Sequence, residues 1–439
     1  MVQFLIQHTP LLYLTQSFWR DEAFSVLMAS RPVLFIINHS SFEPPFYYTL
    51  LHFWIKIFGQ GEVAVRGLSF VAFAAAAVII IVWSEKLFKK HWLSWWLPVF
   101  FFCNPMLLYY SMEARTYGWY ILFATLSLWA YSEARWIVFT AATILGFYTH
   151  SYFLIVPFAQ VIHYVWTHHI HWKKDPMVRS LAVSSVVIAP WFVILLRQVS
   201  MFRHLWYFPV DANLVTSVLG NLFVGYEGTP WYLWTFTKIL SLVILSFSYL
   251  ALRSKKIRTT ARLFLIQIYL PLIMVIGISF IKPLYVNRYV IPVSIAEVMI
   301  IALAIYAIRN TTVQKITAAL CLLFVLGFNI WYPNKHAKLN IRETLKQVNA
   351  VKSKQDIIMV DNPLIFFETI YYSTDKSHVY LYNPDNNPFP WYVGDVLVSP
   401  GQMAGDFPPY PTRAFIVHDN GTFDVVFRMA LPAQPTPSL

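Results

Sequence analysis

Charged side chains are scarce in this chain: Asp, Glu, Lys and Arg make up only 12% of its 439 residues, whereas 58% are hydrophobic. A soluble domain needs a more polar surface, so this composition excludes a soluble fold. Stretches without any charged residue recur along the chain, and several are long enough to cross a bilayer. The sequence therefore predicts a mainly α-helical, polytopic (multi-pass) membrane protein that resides in the cell membrane.

Cysteine and glycine are also rare, with 2 and 14 residues. Cys103 and Cys321 lie in apolar runs, so the sequence offers neither a disulfide framework nor a cysteine-rich metal site. It contains no P-loop or dinucleotide-binding glycine pattern. The net charge of +12 comes from cations scattered between apolar runs, which indicates topology signals and argues against a nucleic-acid partner.

The apolar segments predict about eleven transmembrane helices, and six of them are clear candidates, each free of Asp, Glu, Lys and Arg. These six lie at 67–84, 92–112, 116–132, 180–196, 263–281 and 316–334. The run from Trp136 to Trp172 predicts two more, with a reversal near His150. The other spans are short or carry one charge each, and they lie at 1–19, 231–252 and 289–308.

Two charged residues lie inside these predicted spans, Lys238 and Glu297. A carboxylate at the depth of Glu297 must pair with another group or face a polar cavity. We interpret Glu297 as structural, with Lys238 as its candidate partner.

The distribution of basic residues predicts which loops face outward. Residues 1–19 lack the basic start and the cleavage site of a secretory signal, so we expect a retained first span that begins in the cytoplasm. Because this span is short, a longer N-terminus is left open. With that start, the inner loops are short and basic, as the positive-inside rule requires. The outer loops then hold most of the loop carboxylates, namely Asp21, Glu22, Glu43, Glu62, Glu113, Asp211 and Glu227.

The chain is expected to consist of a transmembrane domain, 1–334, and a small outer α/β domain, 335–430. Two long outer loops, 20–66 and 197–230, interrupt the spans. The first loop is predicted to carry interfacial helices at 23–36 and 44–58. The outer domain is predicted to contain helices at 341–352 and 364–372 and strands at 356–360 and 379–382. The proline-rich end, 431–439, is predicted to be disordered.

An acidic pair, Asp21 and Glu22, sits between hydrophobic segments at the edge of the apolar phase. Carboxylates there are costly and need solvent, a partner or a chemical role. Alone, the pair indicates no more than a membrane–water boundary. Because other polar groups recur on the same side, we interpret the pair as the chemical centre, with Asp21 as a base and Glu22 positioning it or holding a cation.

Cations and tyrosines recur at the outer boundary in two motifs, 109–117 and 282–289. An aromatic belt with snorkelling charges is the alternative interpretation. Arginine gives bidentate bonds to phosphate oxygens and lysine supplies a point charge, so Arg115, Arg288 and Lys282 are candidate ligands of a lipid phosphate. The substrate pocket is predicted to include Glu43, Tyr47, Tyr110, Glu113, Tyr117, His150 and Tyr289.

Histidines on the outer side raise the question of a metal. Glu43 and His204 are the candidate ligands of a divalent metal ion. No ligand spacing repeats in the sequence, so the pattern does not establish a cofactor.

The order of these motifs resembles the GT-C glycosyltransferases, in the family 39-like branch of protein O-mannosyltransferases and lipid A aminoarabinose transferases. The resemblance covers about residues 15–310. It rests on Trp19-x-Asp21-Glu22, Pro44-Pro45-Phe46-Tyr47-Tyr48, Tyr110-Ser111-Met112-Glu113-Ala114-Arg115-Thr116-Tyr117, Tyr148-Thr149-His150, Pro190-Trp191 and Asn287-Arg288-Tyr289. Because family members use a polyprenyl-phosphate sugar at the outer face, the resemblance implies that Asp21 is the base and that Arg115 and Arg288 lie near the donor phosphate. The chain departs from the family at Glu43, where many members have His.

Residues and resemblance together predict an integral-membrane glycosyltransferase, a hexosyl- or pentosyltransferase, that uses a polyprenyl-phosphate sugar donor. Its acceptor is a hydroxyl group of a protein, a lipid or a glycan. We expect inverting transfer, in which a carboxylate accepts the acceptor proton and cations stabilise the leaving phosphate. Two other classes stay open: a secondary transporter, which usually has paired broken helices and repeat symmetry, and a lipid-binding protein without turnover.

Overall fold

The structure, a computed structural model, describes residues 2–40, 43–168, 175–199, 210–225 and 231–429. Its helices are α1 (Val2–Gln7), α2 (Leu11–Thr15), α3 (Arg20–Ala29), α4 (Val33–His39), α5 (Phe46–Phe58), α6 (Glu62–Phe88), α7 (Leu93–Phe102), α8 (Pro105–Ser111), α9 (Tyr117–Ser132), α10 (Trp136–Thr149), α11 (Ile155–Thr167), α12 (Pro176–Val199), α13 (Ala212–Val224), α14 (Trp234–Arg253), α15 (Arg258–Ser279), α16 (Ile291–Ala307), α17 (Thr311–Trp331), α18 (Ile341–Val351) and α19 (Phe366–Tyr372). Its strands are β1 (Ile357–Val360), β2 (Val379–Tyr382), β3 (Met403–Ala404), β4 (Ala414–Val417) and β5 (Phe423–Val426). The tail predicted to be disordered, 431–439, lies outside the described residues.

Six helices in the described part of the chain are long and apolar enough to cross a membrane. They are α6, α12, α14, α15, α16 and α17, and each overlaps one of the predicted spans. The shorter helix α9 matches the predicted span at 116–132. The long apolar run after it forms α10 and α11, and the break between them falls at His150, as predicted. The chain is therefore a multi-pass membrane protein.

The segment predicted to be one span, 92–112, is interrupted and forms two helices, α7 and α8. Asn104 interrupts it: its side-chain oxygen accepts the backbone N–H of Leu107 at 3.1 Å and caps α8. Pro105 follows at the first helical position, where its missing N–H costs nothing. A polar cap inside an apolar run thus ends one helix and starts the next.

The short first span predicted at 1–19 is not one continuous helix either. This segment forms two short helices, α1 and α2, of 6 and 5 residues. Pro10 lies between them and cannot donate a backbone hydrogen bond to continue the first helix. Neither helix is long enough to cross about 30 Å of hydrocarbon.

Helix α13 lies in the stretch that was predicted to be a long loop, 197–230. It packs against α14 at Gly220, where a Cβ atom would lie only 2.1 Å from the carbonyl oxygen of Thr237. Lys238, which follows Thr237 in α14, donates from Nζ to Asn213 Oδ1 on α13 at 2.8 Å. The side chain of Lys238 is therefore held by α13.

Helix α16 is the centre of the bundle, and every residue from Ile291 to Ile305 is buried. Apart from Ser294 and Glu297 its buried residues are apolar on every side, as expected of a helix that other helices surround, and it contacts α7, α9, α14 and α15. Glu297 is fully buried in it, and among the described residues neither carboxylate oxygen has a hydrogen-bond partner. Because Lys238 is bonded to Asn213 instead, the predicted pairing of Glu297 with Lys238 is wrong.

The residues after α17 form a small α/β unit with a five-stranded sheet in the order β3-β2-β1-β4-β5. Strand β1 pairs in parallel with β2, Ile358 opposite Val379, and with β4, Ile358 opposite Phe415, whereas β4 and β5 are antiparallel. The predicted helices and strands of this region match α18, β1, α19 and β2. Its core is continuous with that of α3 and α5, because Phe366 and Phe367 belong to the same buried cluster as Val26 and Tyr47.

Candidate active site

Helix α3 begins at the acidic pair. Trp19, just before the helix, is extended, with φ −100° and ψ 171°, and its backbone N–H donates to Glu22 Oε2 at 3.4 Å. Asp21 lies in the same first turn, where free backbone N–H groups favour a negative charge. Both carboxylates therefore suit the start of α3, but their side chains have different surroundings.

Asp21 faces three guanidinium groups. Arg20 Nε lies 2.8 Å from Asp21 Oδ1. The Nη2 atoms of Arg115 and Arg288 each lie 3.8 Å from Asp21 Oδ2. Burial on its own raises the pKa of the Asp21 carboxyl, but the three positive charges outweigh burial and lower this pKa below its usual value. Asp21 is therefore an anion at physiological pH.

Arg115 is held at the turn between α8 and α9. Its guanidinium group contacts the carboxylate of Glu43, which also accepts the Tyr48 hydroxyl. The Arg115 carbonyl accepts a hydrogen bond from Ser69 Oγ on α6 at 2.8 Å, and Tyr47 Oη lies 3.3 Å from the same Oγ. The structure thus brings Glu43 and Tyr47, both predicted pocket residues, next to Arg115.

Gly118 permits the approach of α9 to α6 that this arrangement needs. A Cβ atom at Gly118 would lie 2.1 Å from the carbonyl oxygen of Ser69. Any side chain at Gly118 would push the two helices apart and move Arg115 away from Asp21.

Arg288 enters the site from a 3₁₀ turn, Asn287–Val290, just before α16. Its guanidinium carbon lies 5.8 Å from the ring centre of Trp19 and 5.7 Å from that of Tyr289. Both distances are within the range of cation–π attraction. The two rings therefore help to orient Arg288 toward Asp21.

His150, at the break between α10 and α11, packs behind this turn. Its ring stacks on Tyr120 with 4.7 Å between the ring centres and lies 5.1 Å from the ring centre of Tyr289. Burial, followed by the charges of Arg115 and Arg288, lowers the pKa of His150 to about 3. The imidazole is therefore neutral and adds no positive charge to the site.

A cavity of about 610 Å³ adjoins Asp21. The charged side chains lining it in the described part of the chain are Arg20, Asp21, Glu43, Arg115, Lys282, Arg288 and Asp395. Met274, Val275 and Ile278 of α15 form an apolar wall. Ile278, which belongs to this wall, is 46% exposed.

The C-terminal α/β unit forms another wall of this cavity, residues 391–396. This segment presents the side chains of Trp391, Tyr392 and Asp395. At Gly394, φ is +124°, and a Cβ atom would lie 2.4 Å from the ring of Phe24, one turn after Asp21 on α3. The wall therefore packs directly against the helix that carries Asp21.

Glu22 is fully buried and does not line the cavity. Arg66 binds it in a bidentate manner, with Nε 2.7 Å from Oε1 and Nη2 2.7 Å from Oε2. The backbone N–H of Ala114 donates to Oε1 at 2.9 Å, and Lys338 Nζ lies 3.2 Å from Oε2. Lys338 also binds Glu113 at 2.9 Å. Glu22 and Glu113 thus belong to a buried ionic network behind the cavity.

The predicted site residues fall into two groups. Asp21, Glu43, Arg115, Lys282, Arg288 and Tyr289 line the cavity. Those buried behind its wall are Glu22, Tyr47, Tyr110, Glu113, Tyr117 and His150.

Sequence reasoning missed Arg20, Arg66, Lys338 and the segment 391–396. Arg20 adjoins Asp21, and Arg66 is the last cation before a long apolar run. The sequence could therefore have indicated both as candidates. Nothing in the sequence marked Lys338 or the segment 391–396.

The proposed metal pair stays a prediction, because His204 lies outside the described residues. Among the residues that the structure does describe, no group of three or more His, Cys, Asp and Glu side chains is arranged to hold a metal ion. Glu43 is already engaged by Arg115 and Tyr48.

The fold defines a class, the polytopic membrane proteins with an ArnT-like fold. Two solved structures share it: ArnT from Cupriavidus metallidurans in the apo state and the same protein bound to undecaprenyl phosphate. Their TM-scores are 0.63 and 0.61 at 12% identity, and the match covers 95% of this chain and 91% and 92% of ArnT. No protein-family model and no curated protein sequence matches the chain. The likeness confirms the fold that the motifs predicted.

Proposed function

We propose that this protein is an integral-membrane glycosyltransferase that moves a sugar from a polyprenyl-phosphate carrier to a hydroxyl group of a protein, lipid or glycan. The observation that carries the proposal is the Asp21 carboxylate, which faces a cavity with Arg115 and Arg288 at 3.8 Å. The undecaprenyl phosphate bound to ArnT, which shares this fold, supports a lipid-phosphate carrier.

The cavity suits both parts of such a donor. Arg115, Arg288 and Lys282 would bind the phosphate, since guanidinium and ammonium groups form charge-assisted bonds to its oxygens. The apolar wall of α15 would contact the first units of the prenyl chain, and its exposed Ile278 supports entry from the lipid side. The net positive charge of the lining also favours an anionic ligand, because four cations and three carboxylates line the described part of the cavity.

In the proposed reaction, Asp21 accepts the proton of the acceptor hydroxyl. The acceptor oxygen forms a bond to the anomeric carbon on the side opposite the phosphate. The bond between that carbon and the phosphate oxygen breaks, and its electron pair leaves with polyprenyl phosphate. Arg115 and Arg288 stabilise the charge that develops on the leaving oxygen. The sugar is transferred with inversion.

Donor binding would also activate the base. In the free protein the guanidinium groups lower the pKa of Asp21, which makes it a weak proton acceptor. A phosphate on Arg115 and Arg288 offsets their charge and therefore raises this pKa again. Glu22, bonded to Arg66 and to the backbone of Ala114, holds the start of α3 in place for this step.

We place the site on the outer face of the membrane. Arg253, Lys255, Lys256 and Arg258 gather at the end of α14 and α15 that is remote from the cavity. Short basic loops face the cytoplasm, so the cavity at the other end of α15 opens outward. This argument does not depend on the segment 1–19.

The test is Asp21→Asn, which keeps size and hydrogen bonding but removes the charge. We expect turnover of a polyprenyl-phosphate sugar to fall by about a hundredfold or more. Binding of the donor should survive. The matched control is Asp385→Asn, an exposed carboxylate of the C-terminal unit, which should leave turnover unchanged.

Two outcomes would contradict the proposal. Activity of Asp21→Asn within a fewfold of the parent would move the base elsewhere. Donor binding by the parent without any release of polyprenyl phosphate would favour a lipid-binding protein.

A further inference from the structure

A second cavity, of about 360 Å³, lies at the other end of α15. It is lined by Tyr249, Leu252, Arg253, Arg258 and Arg262. Three guanidinium groups thus share one space, and no carboxylate is part of its lining in the described residues. This differs from the first cavity, where carboxylates accompany the cations. Like charges that converge without a counter-charge repel one another, so an anion would relieve the repulsion.

Neutral groups hold these guanidiniums in place. Arg258 donates from Nε to the carbonyl oxygen of Leu252 at 3.1 Å. The guanidinium carbon of Arg262 lies 5.3 Å from the ring centre of Trp166, and that of Arg253 lies 5.2 Å from the ring centre of Tyr249. Because these partners are a carbonyl and two aromatic faces, they orient the cations without neutralising them.

The cavity also borders the apolar surface of the bundle. Tyr249 is 59% and Leu252 is 42% exposed. Both belong to α14, whose outward residues Leu242 and Leu245 are exposed in the same way, as expected of a helix in contact with lipid. An occupant would therefore meet cations on one side and hydrocarbon on the other.

We propose that this second cavity binds the phosphate headgroup of an anionic phospholipid of the leaflet at that end of the bundle. Arginine binds phosphate oxygens in a bidentate manner, and Tyr249 and Leu252 would contact the adjoining acyl chains. A free phosphate ion would use only the cations and would leave the apolar border without a partner. This inference does not rest on the proposed glycosyl transfer.

The experiment is native mass spectrometry of the full chain in detergent, titrated with phosphatidylglycerol and, as a zwitterionic comparison, with phosphatidylcholine. We expect the parent to prefer phosphatidylglycerol. The double variant Arg258→Gln, Arg262→Gln should bind phosphatidylglycerol at least about tenfold more weakly, because it loses charge-assisted bonds. Its binding of phosphatidylcholine should not change. The matched control is Arg309→Gln, which removes an exposed cation outside the cavity.

Two results would overturn the proposal. An equal loss in Arg309→Gln would mean that net charge, not this cavity, attracts the lipid. Complete displacement of phosphatidylglycerol by inorganic phosphate at equal headgroup concentration would mean that the site takes free phosphate. If the double variant does not fold, Arg253→Gln replaces it, because this side chain is exposed and its loss should weaken lipid binding severalfold.

Discussion

The two carboxylates that open α3 are neighbours in sequence but opposite in surroundings. Asp21 borders a cavity, and Arg115 and Arg288 approach its Oδ2 no closer than 3.8 Å. Glu22 is fully buried and bonded to Arg66 through two contacts of 2.7 Å. Cations that line a cavity are accessible to a bound anion, whereas the fully buried pair of Arg66 and Glu22 is not. Asp21 is therefore accessible to a ligand in the cavity, whereas Glu22 is positioned to stabilise the fold.

The largest effect is expected for Arg66→Met, which leaves Glu22 as a buried charge without its main partner. We expect the free energy of unfolding to fall by about 3–5 kcal/mol. Chemical unfolding of the purified protein in detergent micelles measures this. Arg342→Met is the control, because Arg342 pairs with Glu62 at 2.8 Å but is 44% exposed, and its loss should cost at most about 1 kcal/mol. Equal stabilities of the Arg66 variant and the parent would refute the structural role of Glu22.

The cavity side is tested by Arg288→Met. Binding of polyprenyl phosphate should weaken by about 1.5–3 kcal/mol, the worth of a charge-assisted hydrogen bond. Binding of the matching prenol, which has no phosphate, should be unaffected. Affinities of the parent and the variant for both lipids provide the measurement. Equal affinities for the phosphate lipid would remove Arg288 from the donor site.

Another effect concerns the dependence of stability on pH. Glu368 on α19 is buried and accepts a hydrogen bond from the backbone of Arg20, and burial raises its pKa to about 8. Between about pH 4.3, its unfolded value, and pH 8, the folded state keeps a proton that the unfolded state has lost. The free energy of unfolding therefore falls as pH rises through this window, by up to about 1.4 kcal/mol per pH unit.

Glu368→Gln should remove this slope and be more stable than the parent at pH 8. Unfolding at several pH values compares the two proteins. Asp21 and Glu22 have lowered pKa values, so their contributions change below about pH 4 and leave the window undisturbed. Glu113, whose pKa is also raised, is common to both proteins and cancels in the difference. Parallel curves for parent and variant would contradict the assignment.

The mildest test asks whether the Asp21 cavity and the basic end of α15 lie on opposite faces. Cys103 and Cys321 are first replaced, and single cysteines are placed at Asn386 or Ser254. We expect a membrane-impermeant maleimide to label Asn386→Cys in intact cells and Ser254→Cys only after permeabilisation. The reverse pattern would put the cavity in the cytoplasm.

The sequence indicated candidate site residues where a single residue is unusual for its own position. Asp21, Arg115 and Arg288 were candidates because charges at a membrane boundary are costly. It did not identify partners that are distant in sequence, because only the fold brings Arg66 and Lys338 to Glu22.

Hydropathy likewise predicted the long helices and missed how shorter apolar segments divide. The breaks at Asn104 and Pro10 depend on single caps and turns, which do not show when hydropathy is averaged over a window of residues. Helix α13 was missed because its apolar stretch, at 13 residues, is too short to be recognised as a span. The α/β unit was predicted by its alternating short runs, but its contribution to the cavity wall was not.

Helix α15 joins the two cavities, because Ile278 near its end lines one and Arg258 at its start lines the other. Its 22 residues make it about 33 Å long, close to the thickness of the hydrocarbon core. In a thinner bilayer the helix must tilt, which would shift both cavities relative to the headgroups they are proposed to engage. Because of the length of this one helix, the positions of both cavities relative to the headgroups depend on the thickness of the membrane.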